Sequence, residues 1–118
     1  MTFREVLEEI SARVEGTRAV SLMGTDGIAI DTVNPGGLPL ENIGAEFGSF
    51  FRDLRVSNTE LDTGEVRQLT VMTDRYVTLL TSLTSDYFLL VILSADGNYG
   101  RARFEMAKAK FKLQDELI

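Results

Sequence analysis

The segment Asp96-Gly97-Asn98-Tyr99-Gly100 comes nearest to recognisable chemistry, because a glycine-rich loop opening a helix can cradle phosphate on its backbone N–H groups. It lacks the lysine and full glycine spacing of a nucleotide loop, and it lacks the dinucleotide fingerprint. It therefore reads as a strand-to-helix turn with Asn98 as the N-cap. Asp26, Asp31, Asp62 and Asp74 do not reproduce calcium-loop spacing and read as turn aspartates. Ser21, Ser49, Ser57 and Ser82 have no histidine to activate them, since the chain contains none. The only lysines, Lys108, Lys110 and Lys112, crowd one late helical stretch and read as a solvated face. With no cysteine there is neither a disulfide nor a thiolate zinc site. No catalytic residue, metal ligand or cofactor contact is assigned, and the expectation is a protein that is not an enzyme. One polar group is left, Glu41, Glu46, Arg52 and Asp53 on a helical pattern. It reads either as that helix's wet side or as a partner-facing patch.

The elements that would carry such a patch fit one domain of 118 residues, with 44% hydrophobic residues to build a core. A net charge of −6 argues against nucleic acid, whose phosphates call for a basic surface. The longest apolar run, Tyr87 to Leu93, is too short to cross a bilayer, so no membrane insertion is expected. The acidic start Met1-Thr2-Phe3-Arg4-Glu5 has no apolar signal core, and a cytoplasmic location is expected.

Thr2-x-x-Glu5 is a capping-box pattern, followed by an apolar stripe Phe3, Val6, Leu7, Ile10 and Val14 that Gly16 ends. A hairpin follows over roughly residues 18 to 33, turning at Gly24-Thr25-Asp26-Gly27. The second helix is predicted over about residues 39 to 56, with a seam of Leu40, Ile43, Phe47, Phe50 and Leu54. Beside that seam lies an unusual stripe, Gly44, Gly48, Phe51 and Arg55. An interior helical glycine costs about 1 kcal/mol against alanine, so two of them imply close packing, either on the chain's own sheet or against the same helix of a twin subunit. Three strand patterns come next: Val66 to Met72, Tyr76 to Leu83 and Tyr87 to Leu93. The last is apolar at nearly every position and reads as central, whereas Glu65, Arg67 and Gln68 suit an edge. A final helix from near Tyr99 carries two apolar stripes. Phe104, Ala107, Phe111 and Ile118 form one; Ala102, Met106, Ala109, Leu113 and Leu117 lie nearly opposite. Both stripes are covered within the chain, or one of them docks a partner. Glu105 is placed on the solvent face with Arg101, Lys108 and Lys112.

The order helix, hairpin, helix, three strands, helix resembles the Roadblock family, which includes dynein light chains of the Roadblock type and bacterial partners of Ras-like GTPases. The matching residues are Val20-Ser-Leu-Met-Gly-Thr-Asp-Gly-Ile-Ala-Ile30, Tyr87-Phe-Leu-Leu-Val-Ile-Leu93 and Ala95-Asp-Gly-Asn-Tyr-Gly-Arg101, and the likeness covers essentially all of residues 1–118. It implies an α+β domain of order α-β-β-α-β-β-β-α, a five-stranded antiparallel sheet with one helix on one face and two on the other. It also implies a homodimer in which the third strands pair across the two-fold and the second helices pack together. The family's bacterial members bind a small GTPase as dimers and promote hydrolysis by ordering its catalytic residues; the family has no universal catalytic residue, so none is assigned here.

On that footing the dimer-contact candidates are Gly44, Gly48, Phe51 and Arg55 on the second helix and Glu65, Arg67 and Leu69 around the third strand. Glu41, Glu46, Arg52 and Asp53 are the partner-binding candidates. The expected function is a non-enzymatic dimeric module that binds and regulates a small Ras-like GTPase. The alternatives are a scaffold subunit of a larger complex and a small-ligand sensor domain.

Overall fold

Thr2 and Glu5 cap each other as the sequence requires. The Glu5 backbone N–H donates to Thr2 Oγ1 at 3.1 Å, and the Thr2 N–H donates to Glu5 Oε1 at 3.3 Å. The bond from the Thr2 N–H, and after it one that the Thr2 hydroxyl donates to the same Oε1 at 3.0 Å, hold the Glu5 carboxyl below the ordinary carboxylate range. The computed structural model describes residues 2–117. It begins with α1 (Phe3–Arg13) and continues through β1 (Thr17–Gly24), β2 (Ala29–Val33), α2 (Leu40–Leu61), β3 (Gln68–Met72), β4 (Tyr76–Ser82), β5 (Tyr87–Ser94) and α3 (Tyr99–Gln114), closing on a 3-10 turn, Asp115–Leu117. The order is the predicted one. Ile118, assigned to the outer stripe of α3, lies outside the described residues.

The five strands form one antiparallel sheet in the order β2-β1-β5-β4-β3. Central β5 alternates its apolar side chains between two cores, as a strand covered on both faces must. Leu89, Val91 and Leu93 join Val6, Leu7 and Ile10 of α1 and Ala102, Met106, Ala109 and Leu113 of α3 on one face. Phe88, Leu90 and Ile92 join Met23, Leu80, Leu40 and Phe51 under α2 on the other.

The helix α2 runs five residues beyond its predicted end. Val56, Ser57 and Asn58 are weak helix formers, but a C-terminal cap carries the helix past them. Asp62 adopts the left-handed conformation (φ 53°), which lets the Thr63 N–H return to the Asn58 carbonyl at 3.3 Å. Strand β3 begins two residues later than predicted, although the Ser82 N–H still reaches the Arg67 carbonyl at 2.9 Å.

The rotation of α2 selects the first of the two packings that the sequence leaves open for the glycine stripe. The stripe facing the sheet is Leu40, Gly44, Gly48 and Phe51, all buried within the single chain, while Ile43, Phe47 and Leu54 are half-buried flanks and Phe50 is 51% exposed. The physical reason is bulk at one point: Met23 fills the sheet surface beneath Gly44, and the helix comes close there because that position lacks a side chain, while Phe51 packs edge-on against Phe88. A Cβ at Gly44 would lie 2.5 Å from Met23 Sδ and 3.3 Å from the Gly27 carbonyl, whereas at Gly48 the nearest atom is at an ordinary 3.6 Å. Two alanine substitutions therefore part company. Gly48→Ala gains helix propensity and raises the unfolding midpoint by a stability increment of up to about 1 kcal/mol. Gly44→Ala overpacks against a fully buried methionine and lowers stability by about 1 kcal/mol net, once the helix gain is subtracted from an overpacking cost of about 1–3 kcal/mol. Chemical denaturation of the two variants side by side measures this.

Helices α1 and α3 are tied by ionic contacts. Lys112 Nζ lies 3.3 Å from Glu9 Oε2, and Arg13 bridges Glu9 at 2.8 Å and Glu105 at 3.3 Å. The hydrogen bond from Lys112, aided by the nearby charges of Arg13, Lys112 and Lys108, keeps the Glu9 carboxyl below its ordinary value despite desolvation. A depressed folded-state value means that the contribution is present above the unfolded carboxylate pKa and is lost as pH falls through the lowered one. Removing the cation by Lys112→Ala is expected to move the Glu9 titration midpoint upward. A carboxyl-carbon NMR titration reads it, and an unmoved midpoint would discount the contact.

Candidate interaction surface

An edge strand exposes one row of backbone donors and acceptors, and β3 is such an edge, paired only with β4. Arg67 is bonded to Ser82 of the β4 side, and direction alternates along a strand. Leu69 and Val71 therefore turn their backbone groups inward, while Gln68, Thr70 and Met72 turn theirs outward. The side chains alternate too. Leu69 packs into the core beneath α2, and Thr70 Oγ1 accepts a hydrogen bond from Arg103 of α3 at 3.2 Å. Beside this edge the outward side of α2 and its end carry exposed Phe50, Val56 and Leu61 (68%), and Met72 is exposed at the end of β3. The single chain leaves this apolar surface uncovered.

The predicted residues separate into distinct settings. Gly44, Gly48 and Phe51 face the chain's own sheet, so the close approach that the glycines permit is intramolecular. Arg55 is half-buried and committed within the chain. Its guanidinium lies 4.6 Å above the Phe51 ring and donates to Ser82 Oγ at 2.6 Å and the Ser85 carbonyl at 2.9 Å, fastening the β4–β5 turn to α2. Glu65 and Arg67 are exposed just ahead of β3, with Leu69 partly buried beside them. Glu41, Glu46, Arg52 and Asp53 are placed on α2, and among the described residues none of the four forms an ion pair. Glu41, Glu46, Arg52 and Asp53 are all exposed. Phe50, Val56, Leu61 and Met72 were not singled out from the sequence as surface residues. Phe50 was hidden in a regular seam, and Val56 and Leu61 lay at or past the predicted helix end.

Two clefts flank the surface. One of about 790 Å³ lies between the β1–β2 turn and the start of α2, lined by Asp26, Ile28, Leu38, Leu40 and Glu41 among others. The other, about 490 Å³, gathers Arg55, Arg67 and Lys110 around Ser82 and Thr84. Among the described residues no group of three or more Asp and Glu side chains is placed to hold a metal ion. No described helix is long and apolar enough to cross a membrane.

A continuous antiparallel sheet with one helix on one face, two on the other and an open edge along its third strand defines a small α+β domain. The chain belongs to the Roadblock/LC7 family, whose domain model matches residues 3–94. Similar solved structures include MglC from Myxococcus xanthus, 34% identical over 98% of this chain and 99% of that one, with a TM-score of 0.70. A Roadblock/LC7 domain from Streptomyces avermitilis is 20% identical over 99% and 98% of the two chains (TM-score 0.87). The gliding protein mglB from Thermus thermophilus is 16% identical over 95% and 85% (TM-score 0.85). The last two likenesses concern fold alone. No curated protein matches the sequence.

Proposed function

We propose that this chain is a non-enzymatic homodimeric module that binds and regulates a small Ras-like GTPase. The observation that carries the dimer is the open edge of β3 beside the exposed Phe50, Val56, Leu61 and Met72. Two β3 edges meeting about a two-fold would satisfy the outward groups of Gln68, Thr70 and Met72 on both copies and continue the sheet through the dimer. Glu65, Arg67 and Leu69 would flank that seam, with the α2 helices side by side. The contact between helices would then be made by Phe50 and Leu61, which lie on one side of α2, rather than by the glycines.

The GTPase reading rests on family membership together with the polar residues Glu41, Glu46, Arg52 and Asp53, which stay exposed on α2 and bear no internal ion pair among the described residues. Regulation would work by positioning the GTPase's own catalytic groups. Arg52 is the cation free to act in trans, since Arg55 is spent on the β4–β5 turn. Single-turnover GTP hydrolysis by the cognate GTPase, with and without this protein, tests the reading. Absence of binding in both nucleotide states would end it. A second reading, a scaffold subunit, is favoured by the bare outer stripe of α3, where Phe104 and Phe111 stand exposed.

A further inference from the structure

Helix α3 is two-sided. Ala102, Met106, Ala109 and Leu113 are buried against the sheet and α1. The opposite stripe, Phe104, Ala107, Lys108 and Phe111, follows i, i+3, i+4, i+7 spacing on the outer surface, with Phe104 57% and Phe111 80% exposed. The helix also concentrates charge. Arg101, Arg103, Lys108, Lys110 and Lys112 share it with one carboxylate, Glu105, which is turned inward to Arg101 and Lys108; Lys112 meets Glu9 of α1, and Arg103 and Lys110 form no ion pair among the described residues, in a chain whose net charge is −6. Arg101 lies 5.6 Å and Lys108 5.7 Å from the centre of the Phe104 ring, and Arg103 sits 5.1 Å over Tyr99. Fixed aromatic knobs inside a cationic frame lose less conformational freedom when a partner covers them.

We propose that this face of α3 docks an acidic amphipathic helix of another protein, whose apolar side chains seat around Phe104, Ala107 and Phe111 while its carboxylates meet the flanking cations. Three physical arguments select that occupant. A second copy joined symmetrically through α3 would set one row of cations against its twin, which is repulsive. A second copy offering its acidic surface instead would make a head-to-tail contact that does not close. An anionic membrane surface favours a broad apolar face, whereas the exposed stripe has two phenylalanines one heptad apart and the rest of α3 is locked onto the sheet. A helix of 16 residues spans roughly 24 Å, room for about four turns of partner. The inference is independent of the GTPase reading, because α3 lies on the sheet face opposite α2.

The test is a displayed library of helical peptides on one scaffold, with leucines at i, i+3, i+4, i+7 and either glutamate or lysine flanks, selected on the intact protein. Acidic members are expected to enrich, to weaken about tenfold or more on Phe104→Glu or Phe111→Glu, and to weaken as salt is raised. Both variants keep the wild-type melting midpoint and the wild-type effect on GTP turnover, which separates failure here from failure of the GTPase reading. No enrichment, or enrichment of lysine-flanked members, overturns the proposal. So does a fall in solution mass on Phe111→Glu, which would make the occupant a second copy. Binding of phosphatidylserine vesicles by the wild type, lost in the same variants while no peptide is selected, would assign the face to a membrane and equally overturn it.

Discussion

Thr70→Pro is expected to leave a folded monomer at tens of micromolar, where the proposed function requires the parent protein to be a dimer. Thr70 is the middle of the three β3 residues whose backbone groups point away from β4. Proline at that position deletes a donor that serves no bond inside the chain, and edge strands accept proline for this reason. In a two-fold pairing the loss is felt twice, once from each copy. At about 1–1.5 kcal/mol per ladder hydrogen bond, dimer affinity falls by roughly 30- to 150-fold before the steric cost of the ring is counted. The variant also loses the hydrogen bond from Arg103 to Thr70 Oγ1, so Thr70→Val is the control: it lacks the hydroxyl, keeps the N–H and stays dimeric. Light scattering reports mass, and circular dichroism confirms that the sheet survives. Any effect on GTP turnover that depends on the dimer disappears with Thr70→Pro. A dimer that persists would place the interface away from β3.

The edge character of β3 is legible because the polar residues Glu65, Arg67 and Gln68 lead into it, and the depth of β5 is legible because Tyr87 to Leu93 leaves no polar face. Both are statements about which surfaces tolerate water, which composition carries directly. The rotation of α2 was not legible from hydrophobicity. A stripe of large apolar residues normally outcompetes a stripe containing glycines, but here the sheet surface beneath Gly44 is already full, and that fact resides in Met23, on a strand outside the helix. The contacts of Arg55 within the chain are hidden from the sequence for a related reason. Its aliphatic stem follows the buried stripe while its guanidinium finds carbonyls in the β4–β5 turn, a partner that spacing on α2 cannot reveal. On α3 the opposition of two apolar stripes was visible, and only the three-dimensional packing decides that the Phe104–Phe111 stripe is the uncovered one.

Glu105 was placed with the solvent-facing charges of α3 and is instead 3% exposed, in line with Ala102, Met106 and Ala109. Its spacing of three from Ala102 and four from Ala109 put it on the buried face, and its charge concealed the fact. One carboxylate there gathers three cations. Oε1 lies 3.3 Å from Arg13 and 3.5 Å from Lys108, and Oε2 lies 3.7 Å from Arg101. These partners reach in from the solvent rim, with side chains roughly 40–50% exposed, so they turn back to water without much penalty if the carboxylate is lost. The carboxylate has no such escape. It is the only charged residue buried among the described side chains, and its Oε2 makes no hydrogen bond. Glu105→Gln keeps the shape, replaces an acceptor with an amide donor facing Arg13 or Arg101, and is expected to cost about 2 kcal/mol, the range for hydrogen bonds to charged groups. At roughly 4 °C per kcal/mol for a domain of this size, the melting midpoint drops by about 8 °C. Glu105→Leu removes the buried charge instead of stranding its partners against an amide, and it fills the same stripe with apolar volume. Burial of a well-packed hydrophobe in place of an ion pair is often neutral or better, so Glu105→Leu is expected to lose less than Glu105→Gln. Thermal unfolding of the two variants decides between the accounts. A leucine variant markedly less stable than the glutamine one would mean that the ion cluster, rather than apolar packing between α1 and α3, is what holds the two helices together.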